Sequence, residues 1–563
     1  MQFDLFTPID FGNDMMESSM LIDPSPTTSP RLSQASKSPG ARLLPVPAAH
    51  AAFVLLVLLN AVRIYRHAMW RDETQAFAIA LHSTGLLDLF HNLRYEGHPG
   101  LWHALLWCLT RFTADPRAMQ ALEFAIGLGV WLLIYRRSPF GTGEKFALLL
   151  GYYLFFEYFV LSRGYALMAL LGFAFVVLRR ERPQAFTSAW LLLGMLANTE
   201  LFGAIWSMAF APFLAVAQRS NRGALVRGIA LYLSLFALAV ATMMPAADSV
   251  PPYRWNIEPH TGFSFAQLAS LVAAVTKALL PLDSGWLFPP KAAGGVSGPA
   301  FFNPDPLSAL KSRPDVVGPV LLGMAVIAAG TWFAARGRRL ALPPRIDGAP
   351  ILASLGLGWI GVLSFLYIFQ IPLGTRYAGI LFLMLVAAAW QFRYDRPGRA
   401  PRWWMALLVL NALGGLCTLR SEFIPFSDSR AAADWLVRNH LNRAFLIADP
   451  DSMAQPVGVY LGRALYGVEC ECDYTFMSWN VARQPLDAAA VLRRAERGMA
   501  RARTPDAILI RSGVLPKRSL ADAAKADLSL TLLERLPAAE VSDERYSIYR
   551  IAAAHRDGHA PPP

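Results

Sequence analysis

Charge is scarce in this chain. Only 16% of its 563 residues are Asp, Glu, Lys or Arg, while 55% are hydrophobic, and the mean hydropathy is positive. That balance excludes an ordinary soluble protein and fits a polytopic membrane protein with a smaller soluble part. Cysteine is scarcer still: four in the whole chain, too few for a disulfide-built scaffold. Cys108 and Cys417 lie in apolar segments and read as packing residues. Cys470 and Cys472 flank Glu471; a bridge across one residue is strained, so core thiols, or a bridge made only under oxidising conditions, are expected. Two thiols without a further Cys or His cluster make a poor metal site. No cleavable leader is expected, because no positively charged start precedes an apolar core, and the first apolar run, 43–64, reads as an uncleaved anchor. No convincing internal repeat of the kind that builds transporters is present either. The net charge of +12 invites a nucleic-acid reading, which placement excludes: the basic residues cluster in short loops between apolar runs, where they act as orientation signals.

Apolar runs are what the chain has in quantity. They fall at 43–64, 117–135, 146–161, 164–178, 185–198, 200–217, 225–244, 316–335, 350–369, 375–391 and 403–419. Several fall short of the roughly 20 residues a perpendicular span needs, so their ends extend into polar neighbours. Segment 99–113 decides the topology. If this Trp-rich segment is embedded at the outer surface rather than crossing, every basic loop shares the cytoplasmic side with the N-terminal tail. Residues 1–42, rich in Ser, Thr and Pro, are expected as a disordered cytoplasmic tail. The expected fold class is therefore mostly α. A membrane helical bundle occupies 43–420, with outward loops at 65–98 and 245–315, and an outward-facing soluble α/β domain follows at 421–563. In that domain the pattern predicts helices at 430–439, 453–461 and 487–502, and strands at 445–448, 464–468, 507–510, 530–536 and 546–551. A helical stretch at 263–280 is expected to lie at the membrane interface over the site.

The remaining ionisable residues gather at one face. Trp70-Arg71-Asp72-Glu73 follows the first span, then Tyr95-Glu96-Gly97-His98-Pro99; Arg163, Glu200 and Arg376-Tyr377 stand at outer ends of later spans. Ionisable groups at a membrane boundary are costly to desolvate, so such a concentration marks a site. An Asp-Glu pair alone carries little weight, and an exposed loop with a local Arg–carboxylate pair is the plainer alternative. Its position favours a carboxylate acting as general base on an acceptor hydroxyl. For Arg163 or Arg376 taken singly, snorkelling to lipid head groups is an equal alternative. His98 either binds acceptor or phosphate, or caps the next helix. Glu200 is either a second acidic group for sugar hydroxyls or an exposed turn residue. Glu157, inside an aromatic run, needs a partner, and Arg163 is a candidate. Asp449-Pro450-Asp451 imitates a DxD metal motif but reads as a turn. Gly141-Thr142-Gly143-Glu144-Lys145 lacks the spacing of a phosphate loop and reads as a cytoplasmic connection.

The order of anchor span, outward Asp72-Glu73, then Glu96-Gly97-His98-Pro99 before an apolar aromatic helix resembles the C-fold (GT-C) glycosyltransferases. It is most similar to the branch holding protein O-mannosyltransferases, aminoarabinose transferases and the galacturonosyltransferases of lipid A core. Leu161-Ser162-Arg163-Gly164-Tyr165-Ala166-Leu167 and Thr375-Arg376-Tyr377 extend the resemblance, which covers most of 43–420. The resemblance implies a multi-pass glycosyltransferase of the cytoplasmic (inner) membrane, with its C-terminal domain periplasmic or extracellular. It would move a hexosyl or pentosyl group from a polyprenyl-phosphate donor to an envelope lipid, glycan or protein acceptor, with inversion. The resemblance implies Asp72 as catalytic base with Glu73 supporting it. It also implies substrate-binding roles for Glu96, His98, Arg163, Tyr165, Glu200, Arg376 and Tyr377, with the two arginines near the phosphate leaving group. No cofactor is expected beyond the lipid-linked sugar, and no metal; a carboxylate-bound divalent cation is the weaker variant. The rival expectations are a transporter or flippase of lipid-linked sugars, and a non-catalytic membrane protein whose outward domain binds glycans.

Overall fold

The computed structural model describes residues 46–249, 265–281, 349–369, 375–395, 398, 400–516, 528–536 and 539–553. The tail expected at 1–42, the apolar segment 316–335 and most of the 245–315 loop lie outside the described residues.

The chain is a membrane helical bundle followed by a small α/β domain. After α1 (Val46–Arg66) come three short helices, α2 (Arg71–His82), α3 (Leu86–Asn92) and α4 (Leu101–Thr110). The segment 65–98, expected as a loop, is thus largely helical. At ten residues, α4 reaches about half the length of a perpendicular span. Next are α5 (Arg117–Arg137), α6 (Thr142–Leu149), α7 (Tyr165–Glu181), α8 (Phe186–Ala197), α9 (Leu201–Ala217), α10 (Arg222–Met243) and α11 (Phe265–Leu279). The bundle closes with α12 (Ala349–Phe369), α13 (Thr375–Asp395) and α14 (Arg402–Cys417). Among the described residues six helices (α1, α5, α10, α12, α13 and α14) are long and apolar enough to cross a membrane. Val54, Leu55, Leu58 and Val62 on α1 are all more than half exposed, as a lipid-facing side requires. Helix α11 packs mainly on α13, with Ala274 and Ala278 in the bundle core.

The run 146–161 is not one helix. It breaks after α6 and resumes as a π-helical turn at Tyr153–Glu157. The break lies where α14 packs closely: a Cβ on Gly415 would run into Leu150 O, and one on Gly151 would meet Asn411 Oδ1. The backbone carbonyls need other partners there. Trp131 Nε1 donates to Leu154 O at 2.9 Å, while Arg63 Nη1 and Asn60 Nδ2 donate to Phe155 O at 3.1 and 3.3 Å.

In the C-terminal domain α15 (Ser429–Arg438) leads to β1 (Leu446–Asp449), α16 (Asp451–Leu461), β2 (Leu465–Gly467), β3 (Cys472–Tyr474) and α17 (Ala488–Ala502). The strands β4 (Asp506–Ser512), β5 (Leu528–Arg535) and β6 (Tyr546–Ala553) follow, in a six-stranded sheet of order β3-β2-β1-β4-β6-β5. Parallel pairing of β1 with β2 and β4 requires helical crossovers, and α16 and α17 supply them. Alternate residues of β1 and β4 serve the two faces. Ile447 and Leu509 meet Val491 and Leu492 of α17, whereas Leu446 and Ile510 meet Leu436 of α15 and Val457 of α16. Cys470 and Cys472 are joined in a disulfide, so of the two expected alternatives the bridge is the one present. Asp449 pairs with Arg511, and Asp451 takes Arg483 and the backbone N–H groups of Glu469 and Cys470. These carboxylates are used internally at a turn.

The domain grips the bundle through α2. Gln75 forms a two-way clasp with Met477, donating to its carbonyl and accepting from its N–H, each at 2.8 Å. Thr74 Oγ1 donates to Gln455 Oε1 at 2.9 Å, and Glu544 Oε1 accepts from Arg71 N at 2.9 Å.

Candidate functional site

Helix α2 starts at Arg71 because Trp70 is extended and Glu73, three residues on, accepts from Trp70 N at 3.3 Å. That puts two carboxylates in the first turn, where the helix dipole favours negative charge. They point to different partners. Glu73 is fully buried: Oε2 meets His67 Nε2 at 2.7 Å and Oε1 accepts from Ser162 N at 2.7 Å. Both its oxygens are thus engaged by the protein, and it acts on the site by placing α2 against the turn that carries Arg163.

Asp72 faces the other way, where three segments distant in sequence meet. Arg163 stands in the turn before α7, and Arg376 in the first turn of α13. Both donate through Nη1 to one oxygen, Asp72 Oδ2, at 2.5 and 2.6 Å. Arg71 Nε lies 3.7 Å from Oδ1. Burial pushes the Asp72 carboxyl up, but Arg376, Arg163 and Arg71 outweigh it and hold the group well below the usual carboxylate range. The Asp72 side chain keeps 23% of its surface exposed, so the cluster is enclosed yet reachable.

Around this centre lie the other expected residues. His98 Nδ1 donates to Glu96 O at 2.8 Å, which leaves Nε2 to accept from Arg163 Nη2 at 3.3 Å; that pattern assigns the ring tautomer. Glu200, just before α9, is buried with Oε2 3.7 Å from His98 Nε2. Glu96 Oε1 accepts from Gln75 Nε2 at 2.7 Å, and burial pushes its carboxyl up. Tyr377 lies beneath Arg376, whose guanidinium carbon is 5.1 Å from the ring centre and 5.7 Å from that of Trp70. Tyr165 is buried, with its ring centre 5.8 Å from the Arg163 guanidinium carbon. Among the described residues its hydroxyl has no hydrogen-bond partner. Leaving such a group unpaired costs roughly 1–3 kcal/mol, which a polar ligand group can recover.

Glu157 does not partner Arg163 through a hydrogen bond. The π-helical turn directs it to Tyr152, whose hydroxyl donates to Glu157 Oε2 at 2.8 Å. The glycine-rich 141–145 segment starts α6, where Glu144 binds Gly141 N, Arg393 and Trp404. Sequence reasoning missed Trp102, which is buried beside Gly164 with its indole N–H unpaired among the described residues. It missed Gln75 too. Among the described residues no group of three His, Cys, Asp or Glu is placed to hold a metal ion. The chemistry on offer is a carboxylate whose two arginines also suit a phosphate.

No family model and no curated protein matches the chain. Among solved structures it is similar to ArnT from Cupriavidus metallidurans in the apo state, at 14% identity and a TM-score of 0.40, over 91% of this chain and 100% of that one. It is also similar to the same protein bound to undecaprenyl phosphate, at 14% identity and a TM-score of 0.42, over 92% and 100% of the two chains. The arabinosyltransferase EmbB from Mycobacterium smegmatis matches at 15% identity and a TM-score of 0.30, over 77% of this chain and 45% of EmbB.

Proposed function

We propose that this chain is an integral-membrane glycosyltransferase of the C-fold class. It transfers a sugar from a polyprenyl-phosphate donor to a hydroxyl of an envelope lipid, glycan or protein. The observation that carries the reading is the sharing of Asp72 Oδ2 by Arg163 and Arg376, beside the unpaired Tyr165 hydroxyl. Such a cluster is costly to bury in a membrane protein unless it serves a ligand.

At rest the two arginines neutralise Asp72. A donor entering from the bilayer presents its phosphate oxygens to both guanidinium groups, which leave Asp72 for the stronger fork of charge-assisted bonds. Asp72 is then free to accept the proton of the acceptor hydroxyl. The hydroxyl oxygen attacks the anomeric carbon on the face opposite the phosphate. The bond from that carbon to the phosphate oxygen breaks, its electron pair leaves with polyprenyl phosphate, and the configuration inverts. Arg163 and Arg376 meet the charge that grows on the leaving oxygen. Tyr165, Glu200, Glu96 and His98 surround the space for the sugar and acceptor, and holding both reactants there converts an encounter into a first-order step. The bundle lies in the inner membrane with the site and the C-terminal domain outside.

The test compares envelope glycans and lipids by mass spectrometry in cells making wild type or Asp72→Asn, at equal membrane levels. A sugar-sized mass disappearing from one component in the variant is expected, and it identifies sugar and acceptor together. Identical spectra, with donor lipid present, remove Asp72 as the base.

A further inference from the structure

A cavity of about 240 Å³ lies apart from the Asp72 cluster; neither Asp72, Arg163 nor Arg376 lines it. It sits where two spans end together, since α1 finishes at Arg66 and the span containing α14 finishes at Glu422. Its lining combines polar side chains, Arg63, Arg66, His67 and Glu422 among them, with the apolar Val160, Phe423 and Phe426. Tyr65 and Phe423 stand 63% and 88% exposed nearby, as aromatic residues do at the level of lipid head groups.

The charges in this lining are unequally used. Arg63 is spent on protein, donating to Glu422 Oε1, Phe155 O and Thr418 Oγ1 at 3.0, 3.1 and 2.9 Å. Among the described residues Arg66 donates through its side chain only to Glu422 O, at 3.3 Å, so most of its N–H groups remain open. Glu422 gives Oε1 to Arg63 and also lines the cavity. A cation with open N–H groups and a carboxylate thus line the same cavity as apolar side chains, where two spans end.

We propose that this cavity holds the head of a zwitterionic phospholipid, with its phosphate on Arg66 and its primary ammonium on Glu422. A purely anionic head would set its charge against Glu422, and a cation alone would meet Arg66. The volume lies below the roughly 300–1,000 Å³ of sites for drug-sized molecules and suits a head group whose glycerol and upper acyl carbons rest on Val160, Phe423 and Phe426. The site is linked to the Asp72 cluster. His67 lines the cavity and binds Glu73, which in turn holds Ser162 N beside Arg163. Occupancy therefore braces the backbone that carries both Asp72 and Arg163.

The inference is independent of the proposed reaction, and its test needs no turnover. The purified full chain in detergent is given dioleoylphosphatidylethanolamine or dioleoylphosphatidylglycerol, and retained lipid is read by native mass spectrometry. Retention of the ethanolamine lipid at least about tenfold above the glycerol lipid is expected, as is a loss of about tenfold in Arg66→Gln, the effect of one charge-assisted hydrogen bond. Glu422→Gln narrows the preference between the two lipids. Should that variant fail to fold because Arg63 loses its partner, Arg66→Gln still decides. Asp72→Asn retains the ethanolamine lipid like wild type, which keeps this result separate from the catalytic reading. Equal retention of both lipids overturns the proposal, as does an Arg66→Gln protein that binds like wild type. Soluble phosphoethanolamine occupying the site as well as the lipid does overturns the assignment to a membrane lipid.

Discussion

Replacing Arg376 with Gln removes one of the two guanidinium groups on Asp72 Oδ2, and under the proposed reaction it has two opposed effects. The donor phosphate loses a charge-assisted hydrogen bond, which costs about 1.5–3 kcal/mol, or roughly ten- to a hundredfold in kcat/KM. Asp72 meanwhile loses its largest cationic influence. A carboxyl shifts by about one to three pH units for such a neighbour, so it rises toward its ordinary range and becomes a stronger base. The pH profiles separate the two effects. In wild type kcat/KM reports the free enzyme, where Asp72 stays ionised well below its usual range, so no acid limb from this group appears in the working range. The kcat profile reports the loaded enzyme, where the phosphate has drawn the arginines off, and its acid limb lies at higher pH. In Arg376→Gln the two limbs approach each other while the donor KM rises. The assay is sugar transfer in reconstituted vesicles at several donor concentrations, from about pH 4 to 8, the range that brackets carboxylate titration. Coincident acid limbs in wild type, or an unchanged donor KM in the variant, would refute the exchange of arginines between carboxylate and phosphate.

Two further outcomes follow from the grip of the C-terminal domain on α2. Gln75→Ala deletes the clasp on Met477 and the bond to Glu96. At about 0.5–1.5 kcal/mol for each hydrogen bond, the docking weakens enough that limited proteolysis near the junction at 418–428 accelerates and kcat falls with little change in donor KM; wild-type proteolysis would count against the clasp. Burial raises the Glu544 carboxyl from 4.5 to about 8, so the folded protein keeps a proton that the unfolded chain gives up. Stability is therefore fully present below about pH 4.5, falls as pH rises toward 8 and levels off above it. Glu544→Gln flattens that dependence, and Tm curves for the two proteins that run parallel across this window would exclude it.

The bundle is legible in the sequence because a lipid-facing helix needs little more than length and apolar composition. The runs 117–135 and 225–244 appear as Arg117–Arg137 and Arg222–Met243. The α/β domain is legible for the same kind of reason, since its strands and helices each carry their own period; the strand expected at 507–510 appears as Asp506–Ser512. The break in 146–161 is not legible, because it sits where Gly415 packs close to Leu150 and its carbonyls are met by Asn60, Arg63 and Trp131, residues distant in sequence. The strand β3, Cys472–Tyr474, spans three residues, too few to show an alternation. At the site, the sequence picks out Asp72, Arg163 and Arg376 singly as costly charges. Their convergence on one oxygen depends on how α2, α13 and the turn before α7 pack. The divergence of Asp72 from Glu73 depends on His67 and Ser162, which no local pattern marks. Gln75 and Trp102 pass unnoticed because an amide or an indole in a helix has no distinctive spacing; only their contacts give them meaning.

The bond from Arg71 N to Glu544 joins residues 473 positions apart, and this fixes when the site can come into being. The bundle side of α2 is made early and enters the membrane early. Its other supports, Gln455, Met477 and Glu544, are synthesised after the bundle. At a translation rate of about 5–20 residues per second, Glu544 follows Arg71 out of the ribosome by roughly 25 to 95 s. During that interval α2 is held from one side only, by Glu73 on His67 and Ser162. Under the proposed reaction, a nascent chain already threaded into the bilayer reaches its working geometry only when its aqueous domain has folded and closed on α2. Assembly order thereby delays any use of donor lipid until the chain is complete.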